Sequence, residues 1–404
     1  MKVLHVVHTH PRLGSTGGTE LYVEALAEAR GDAVFTRDHG RGLRHEGNLW
    51  IAGAPRGADF RGSWSAPAVS AALDHVIAAE RPRLVHVHHL AHLDLRPPPA
   101  PFILTLHDYH LACARGQLVD RHSRLCEGPS PERCADCIAA QLRTPSRLAR
   151  LSPLIHSLGM AGMARKALHA GAPSELMKQE VEARNAAGRE VLASAARILS
   201  PSAALARRVE GLGLAKGLHV QDLPLVGPVG HIPRKPGPTR FLFVGSLLPT
   251  KGVVQLLHAF ARLGEGELHI WGPKVPYFGE STYVDAALRL ADRTPRATYR
   301  GVFGRDRRTE VYGEADVLVV PSTWPENSPL VAREAVAAGL RIVATDHGGV
   351  GEIDPEARLV PPDDVDALAE ALRAELKTPA RREPRDFRMD EHLAQLSVHY
   401  AACG

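Results

Sequence analysis

The feature that most constrains this chain is the regular alternation of short apolar runs with longer helical stretches. Residues 3–7, 84–87 and 102–106 are mostly apolar runs. Such runs suit parallel strands covered on both faces by helices. Residues 20–29 and 66–79 between them carry helical composition. The second half repeats the pattern, with strands expected at 241–244, 268–271, 317–320 and 342–344 and helices at 253–263, 283–291 and 330–338. This βαβα order predicts parallel sheets with right-handed crossovers. A chain of 404 residues exceeds one ordinary core and suits two such domains.

Residues 224–238 contain five prolines and three glycines, which cannot sustain a helix or a central strand. The expected division is therefore an N-terminal domain at 1–225, a linker at 226–238 and a C-terminal domain at 239–385. The last segment, 386–404, is expected to form a helix that packs back on the first domain. Ligands of open parallel sheets lie beyond the carboxyl ends of the strands, so the site belongs in the cleft between the sheets.

The net charge is +4, with no Lys or Arg run of the kind that marks a nucleic-acid tail. The sequence enters a strand at once, without the apolar region and cleavage site of a signal peptide. No window is apolar over the length of a bilayer span. The expectation is a cytoplasmic protein whose cysteines are thiols or metal ligands.

The run from Val317 to Gly349 is the most informative. A strand leads into Pro321-Ser322-Thr323-Trp324-Pro325, then Glu326-Asn327-Ser328-Pro329, then a helix through Leu330 and Glu334 that stops at Gly339. Ser328 fits the N-cap and Pro329 the first helical position. The N-terminus of that helix is a natural seat for phosphate. A carboxylate on each side of it can accept hydrogen bonds from sugar or ribose hydroxyls.

The run WPENSPLVAREAVAAGLRIVATDHGG, with seven residues between Glu326 and Glu334, resembles the E-x7-E signature of glycosyltransferase family 4. That family is a retaining group with the GT-B fold, two Rossmann-like parallel-sheet domains facing a central cleft. The resemblance implies transfer of a sugar from a nucleotide-sugar donor. It implies that Glu326 holds sugar hydroxyls and Glu334 the ribose, with Asn327, Ser328, Pro329 and Leu330 beside the donor. Upstream, Gly245 and Lys251 resemble the family's first donor-domain loop, where a Lys contacts the diphosphate. Ser246 stands where the family usually carries Arg, a departure that bears on donor affinity and identity. Gly348, Gly349 and Glu352 match a turn that lies near the donor sugar in the family.

In the first half, Gly17 and Gly18 resemble the family's Gly-Gly loop, which faces the diphosphate. This loop is not a G-x-G-x-x-G dinucleotide fingerprint. His107 matches the histidine under the donor sugar, and Asp108 is expected to orient its ring or to line the acceptor side with His88 and His89. The density of His86, His88, His89 and His92 also admits a metal site, although acceptor lining fits the alternating strand directions better.

Cys113, Cys126, Cys134 and Cys137 fall in an insert at 111–140, the last two as C-x2-C. They could form a structural zinc site; unligated thiols and disulfides are the alternatives. Residues 142–170 carry several Arg among Leu, Ile and Met, as a basic helix face or a peripheral contact with an anionic membrane would. No metal or other cofactor is expected for the chemistry. The partners expected are the donor and an acceptor, with no nucleic acid. Two other functions share the fold: a nucleotide-sugar binder without turnover, and a different GT-B enzyme such as an epimerase.

Overall fold

A computed structural model describes residues 1–14, 17–54, 60–120, 124–142, 175–233, 236–277, 280–378 and 381–403. The first sheet contains β1 (Val3–Val6), β2 (Ala33–Asp38), β3 (Gly42–Glu46), β4 (Leu49–Gly53), β5 (Leu84–Val87), β6 (Phe102–Thr105), β7 (Arg197–Ser200) and β8 (His219–Val220). Their order is β3-β4-β2-β1-β5-β6-β7-β8. All neighbours are parallel except β3 and β4, which form an antiparallel edge. The second sheet contains β9 (Arg240–Val244), β10 (Glu267–Trp271), β11 (Ala297–Gly301), β12 (Val317–Val320), β13 (Arg341–Thr345) and β14 (Arg358–Val360). It is wholly parallel, in the order β11-β10-β9-β12-β13-β14.

Strand alternation builds a core on each face of each sheet. In the first sheet, Leu4, Val6, Val85, Val87, Phe102 and Leu104 point to one side. Val3, Leu84 and Ile103 point to the other, where Leu396 and Tyr400 of the Met389–Ala401 helix join them. The terminal helix therefore returns to the first domain. In the second sheet, Phe241, Phe243, Val317 and Val319 face one core, and Leu242, Leu318, Val320 and Ile342 face the other. The expected strands and helices form within a residue or two of their predicted ends, apart from Val253–Phe260, which stops three residues early, and the terminal helix, which covers Met389–Ala401 of 386–404. Among the described residues no helix is long and apolar enough to cross a membrane. The basic stretch at 142–170 lies outside the described residues apart from its first position.

One register matters for the site. The parallel pairing of β1 with β5 sets His5 directly beside His86 on the face covered by the terminal helix.

Candidate active site

The C-terminal wall is built by two close backbone approaches. After β9 the chain turns through Pro249–Lys251 to Gly252, whose φ of 72° favours glycine. A Cβ there would fall 1.9 Å from Pro321 O, so only glycine lets this turn lie against the loop after β12. Thr323 N donates to Thr250 O at 2.9 Å and fixes the contact. Lys251 Nζ is thereby brought 2.6 Å from Glu326 Oε1. The same oxygen accepts from Ser322 Oγ at 2.6 Å and Trp324 Nε1 at 2.9 Å. The Lys251 ammonium also lies 5.0 Å from the centre of the Trp324 ring. Gly348 and Gly349 press on this loop from behind, and Gly349 N donates to Glu326 O at 2.6 Å.

The helix behind the loop begins differently from the sequence expectation. Pro329, not Ser328, occupies the N-cap, with φ −67° and ψ 126°, and the helix runs Leu330–Ala337. Ser328 Oγ instead accepts from Arg333, a fully buried guanidinium that also pairs with Asp222. Glu334 is buried, and its Oε2 accepts from Tyr312 OH at 2.5 Å while Arg308 Nε stands 3.3 Å from Oε1. Burial raises its pKa, against the pull of Arg308 and Tyr312. Glu352 leaves the turn at Gly348-Gly349 to accept from Ala203 N and Ala204 N, at 2.6 and 2.7 Å, capping a helix of the first domain. Ser246 sits between Gly245 and Leu247, and its carbonyl accepts from Leu248 N.

The N-terminal wall faces this one across the cleft. Gly17 caps the Gly18–Arg30 helix, and a Cβ on Gly18 would touch Leu330 Cδ1 at 3.5 Å. Asn327 Nδ2 donates to His107 O at 2.7 Å, so the loop carrying Glu326 is tied to the end of β6. Burial lowers the His107 pKa to about 3, with His89 adding to the effect and Asp108 opposing it. Asp108 does not orient the His107 ring. It bonds His89 Nε2 at 2.9 Å and accepts from His110 N at 2.7 Å. The partner of the His107 ring is His88, with Nδ1 3.2 Å from His107 Nε2. His88 is 2% exposed and lines one small cavity with His89, His107 and Asp108. The His89 ring lies 4.1 Å from that of His8. Sequence reasoning missed buried Glu20, whose carboxylate lies 3.2 Å from His8 Nε2. It also missed Tyr312 and Arg308 around Glu334.

None of the five cysteines is in a disulfide. Cys113, Cys126 and Cys134 pack on the first core, and burial raises the Cys134 thiol to about 11. Among the described residues, the one set of three possible ligand atoms within 4.8 Å of one another is His5, His86 and His88. No three of the insert sulfurs lie within 4.8 Å of one another, but Cys113, Cys126 and Cys137 all stand near enough to Cys134 to act on its thiol through their charge. The histidine set has its ring nitrogens engaged with Asp32, Tyr400, Thr105, His107 and each other.

Residues 238–378 match the family described as Glycosyl transferases group 1. The Mycobacterium tuberculosis glycogen synthase is 35% identical over 155 residues, which are 37% of this chain and 36% of that protein. A Salmonella typhimurium lipopolysaccharide 1,2-N-acetylglucosaminetransferase is 31% identical over 126 residues, covering 28% of this chain and 32% of that one. The chain thus spans about a third of the length of these curated relatives. Sucrose-phosphate synthase from Thermosynechococcus elongatus superimposes with a TM-score of 0.66 at 19% identity, over 99% of this chain and 98% of that one. Anabaena HepE in complex with UDP and glucose gives 0.60 at 16% identity, over 99% of both chains. The two facing sheets are a GT-B fold.

Proposed function

We propose that this chain is a glycosyltransferase that moves a sugar from a nucleoside diphosphate sugar to a hydroxyl or other nucleophile, with retention at the anomeric carbon. The observation that carries the reading is the Lys251–Glu326 pair at the mouth of the Leu330–Ala337 helix, tied across the cleft to His107 through Asn327. The group 1 match over the same domain supports it.

In this mechanism the diphosphate binds at the helix N-terminus and Lys251, which stabilise the charge that grows on it as its bond to the sugar breaks. The electron pair of that bond leaves with the diphosphate oxygen. The acceptor oxygen bonds to the same face of the anomeric carbon, and its proton passes to the departing diphosphate. Glu326 and Asn327 hold sugar hydroxyls, Gly17 and Gly18 admit the diphosphate, and Glu334 serves the ribose. His107, neutral through the working pH range, accepts from the sugar and faces the developing positive centre. His89 and Asp108 line the acceptor side. The chemistry uses no metal or other cofactor; the four insert cysteines, grouped around Cys134, would hold a structural zinc apart from the reacting groups or serve as packing thiols. Because HepE was crystallised with UDP and glucose, UDP-sugars are the first donors to try.

The test is incubation with UDP-, GDP-, ADP- and TDP-sugars, with the anomeric configuration of any product read by NMR. Retained configuration, lost in Glu326→Ala, supports the reading. Inverted product overturns the mechanism. Ser246, at the usual Arg position, favours a second reading, a binder without turnover. That reading predicts donor binding with no product against any acceptor.

A further inference from the structure

Four side chains run in a hydrogen-bonded line from one edge of the first domain to the cleft. Asp32 Oδ2 lies 3.4 Å from His5 Nε2. His5 Nδ1 is 3.0 Å from His88 Nε2, and His88 Nδ1 is 3.2 Å from His107 Nε2. His5 and His88 are 0% and 2% exposed, so no solvent interrupts the series. Arg30 Nε at 2.5 Å and Val3 N at 3.3 Å anchor the Asp32 carboxylate at the far end.

We propose that Asp32, acting through His5 and His88, is a positioning residue that fixes which nitrogen of His107 carries the proton. The argument is one of parity. A carboxylate only accepts, so His5 Nε2 must donate to it. A neutral imidazole has one donor and one acceptor, so His5 Nδ1 accepts and His88 Nε2 donates. The same step at His88 makes His107 Nε2 a donor and leaves His107 Nδ1 as a lone pair. Burial keeps all three rings neutral, with pKa values below the usual histidine value. At Asp32 burial works the other way, but His5 and Arg30 outweigh it and hold the carboxyl below its ordinary value. His86 does not compete for the line, since its nitrogens meet Tyr400 OH and Thr105 Oγ1, each at 2.7 Å. Tyr22 packs against His88 and His107, while its hydroxyl goes to His392 Nε2 at 2.9 Å. His107 thus offers an acceptor to a hydroxyl ligand. The catalytic consequence rests on the sugar-transfer reading; the tautomer itself does not.

The experiment is 15N NMR of histidine-labelled full-length protein, with His107→Gln used to assign the His107 signals. Expected in the wild type are N–N couplings across the His5–His88 and His88–His107 hydrogen bonds and a proton on Nε2 of each ring. Asp32→Ala should leave His107 a mixture of tautomers. Asp32→Asn, whose amide oxygen can still accept from His5, should keep the single form. On a donor that turns over, Asp32→Ala should lower kcat about fivefold with little change in KM, and Asp32→Asn should restore most of it. Couplings that are absent, as a metal ion on His5, His86 and His88 would make them, overturn the proposal. So does a His107 proton on Nδ1, or a His107 spectrum unchanged in Asp32→Ala. The couplings are read in wild-type protein without donor, so a variant that fails to fold does not remove the test, and a failure of the glycosyltransferase reading leaves it intact.

Discussion

Alanine at Gly349 should damage the site through contact alone. Its φ of −86° is one that any residue adopts, so the backbone itself is unstrained. The new Cβ would sit 1.8 Å from Asn327 O, 3.0 Å from Asn327 C and 2.8 Å from Ser202 Cβ. Two of these atoms are backbone and cannot swing aside. An ordinary contact requires the Glu326–Asn327 loop or the Gly349 turn to retreat by about 1.6 Å. Overpacking of this kind costs about 1–3 kcal/mol. The functional loss should be larger, because a displacement of about 1 Å at reacting groups costs on the order of a hundredfold. The assay is a thermal melt beside turnover on whichever donor is accepted. Gly264→Ala is the control, since nothing lies within 4 Å of its added Cβ. If Gly349→Ala matched the wild type in both melt and turnover, the account of how the glycine pair positions Glu326 and Asn327 would be refuted.

Three further outcomes follow from the same geometry. Tyr312→Phe removes a buried hydroxyl donor from Glu334 and should destabilise the fold by about 1–3 kcal/mol in denaturant titration, with Glu334→Gln and Tyr312→Phe effects failing to add. Buried His5, His86, His88, His107 and His110 have lowered pKa values, so the unfolded chain binds protons that the folded chain refuses. Their contribution should be full above pH 6.5 and fall as the pH drops below it, by up to roughly 1.4 kcal/mol per pH unit for each. Among the histidines it is opposed by His89, where burial is outweighed by Asp108 and the pKa is raised; a melting temperature flat from pH 7 to 5 would contradict this. If the insert cysteines serve only as packing thiols, EDTA should leave the melting temperature unchanged and metal analysis should find no stoichiometric zinc; a lowered melting temperature with one zinc per chain would instead establish a zinc site at the cysteines grouped around Cys134.

The strands that carry the site were legible because they are buried on both faces. Runs such as Val317–Val320 have no polar residue to confuse the pattern. Strands β2, β3, β4, β7, β8, β11 and β14 were not read. β3 and β8 are edge strands with exposed residues such as His45, Glu46, His219 and Val220, while β2 carries Thr36, Arg37 and Asp38 and β7 carries Arg197 and Ser200, polar residues that break an apolar run although most of them are buried. The loop from Ser322 to Glu334 was readable because its features are local in sequence. Its long-range partners were not. Tyr312 reaches Glu334 across 22 residues, and His107 and Asn327 meet across 220. The histidine line left a faint signal, a His within each of two apolar runs, VLHVV and LVHVH. Only the β1–β5 register shows that these two face one core. Pro329 was misplaced by one position because Ser328, an ordinary cap residue, is drawn away by Arg333, which sequence alone could not seat beneath it.

The most direct test of the central claim is calorimetric titration of the wild type and Lys251→Ala with UDP, GDP, ADP and TDP. The account predicts saturable binding of at least one nucleoside diphosphate to the wild type and at least tenfold weaker binding to Lys251→Ala, the loss of about 1.4 kcal/mol of charge-assisted contact. Binding of no nucleotide to well-folded wild type, or equal affinity in Lys251→Ala, would contradict a diphosphate seat at Lys251 and the mouth of the Leu330–Ala337 helix.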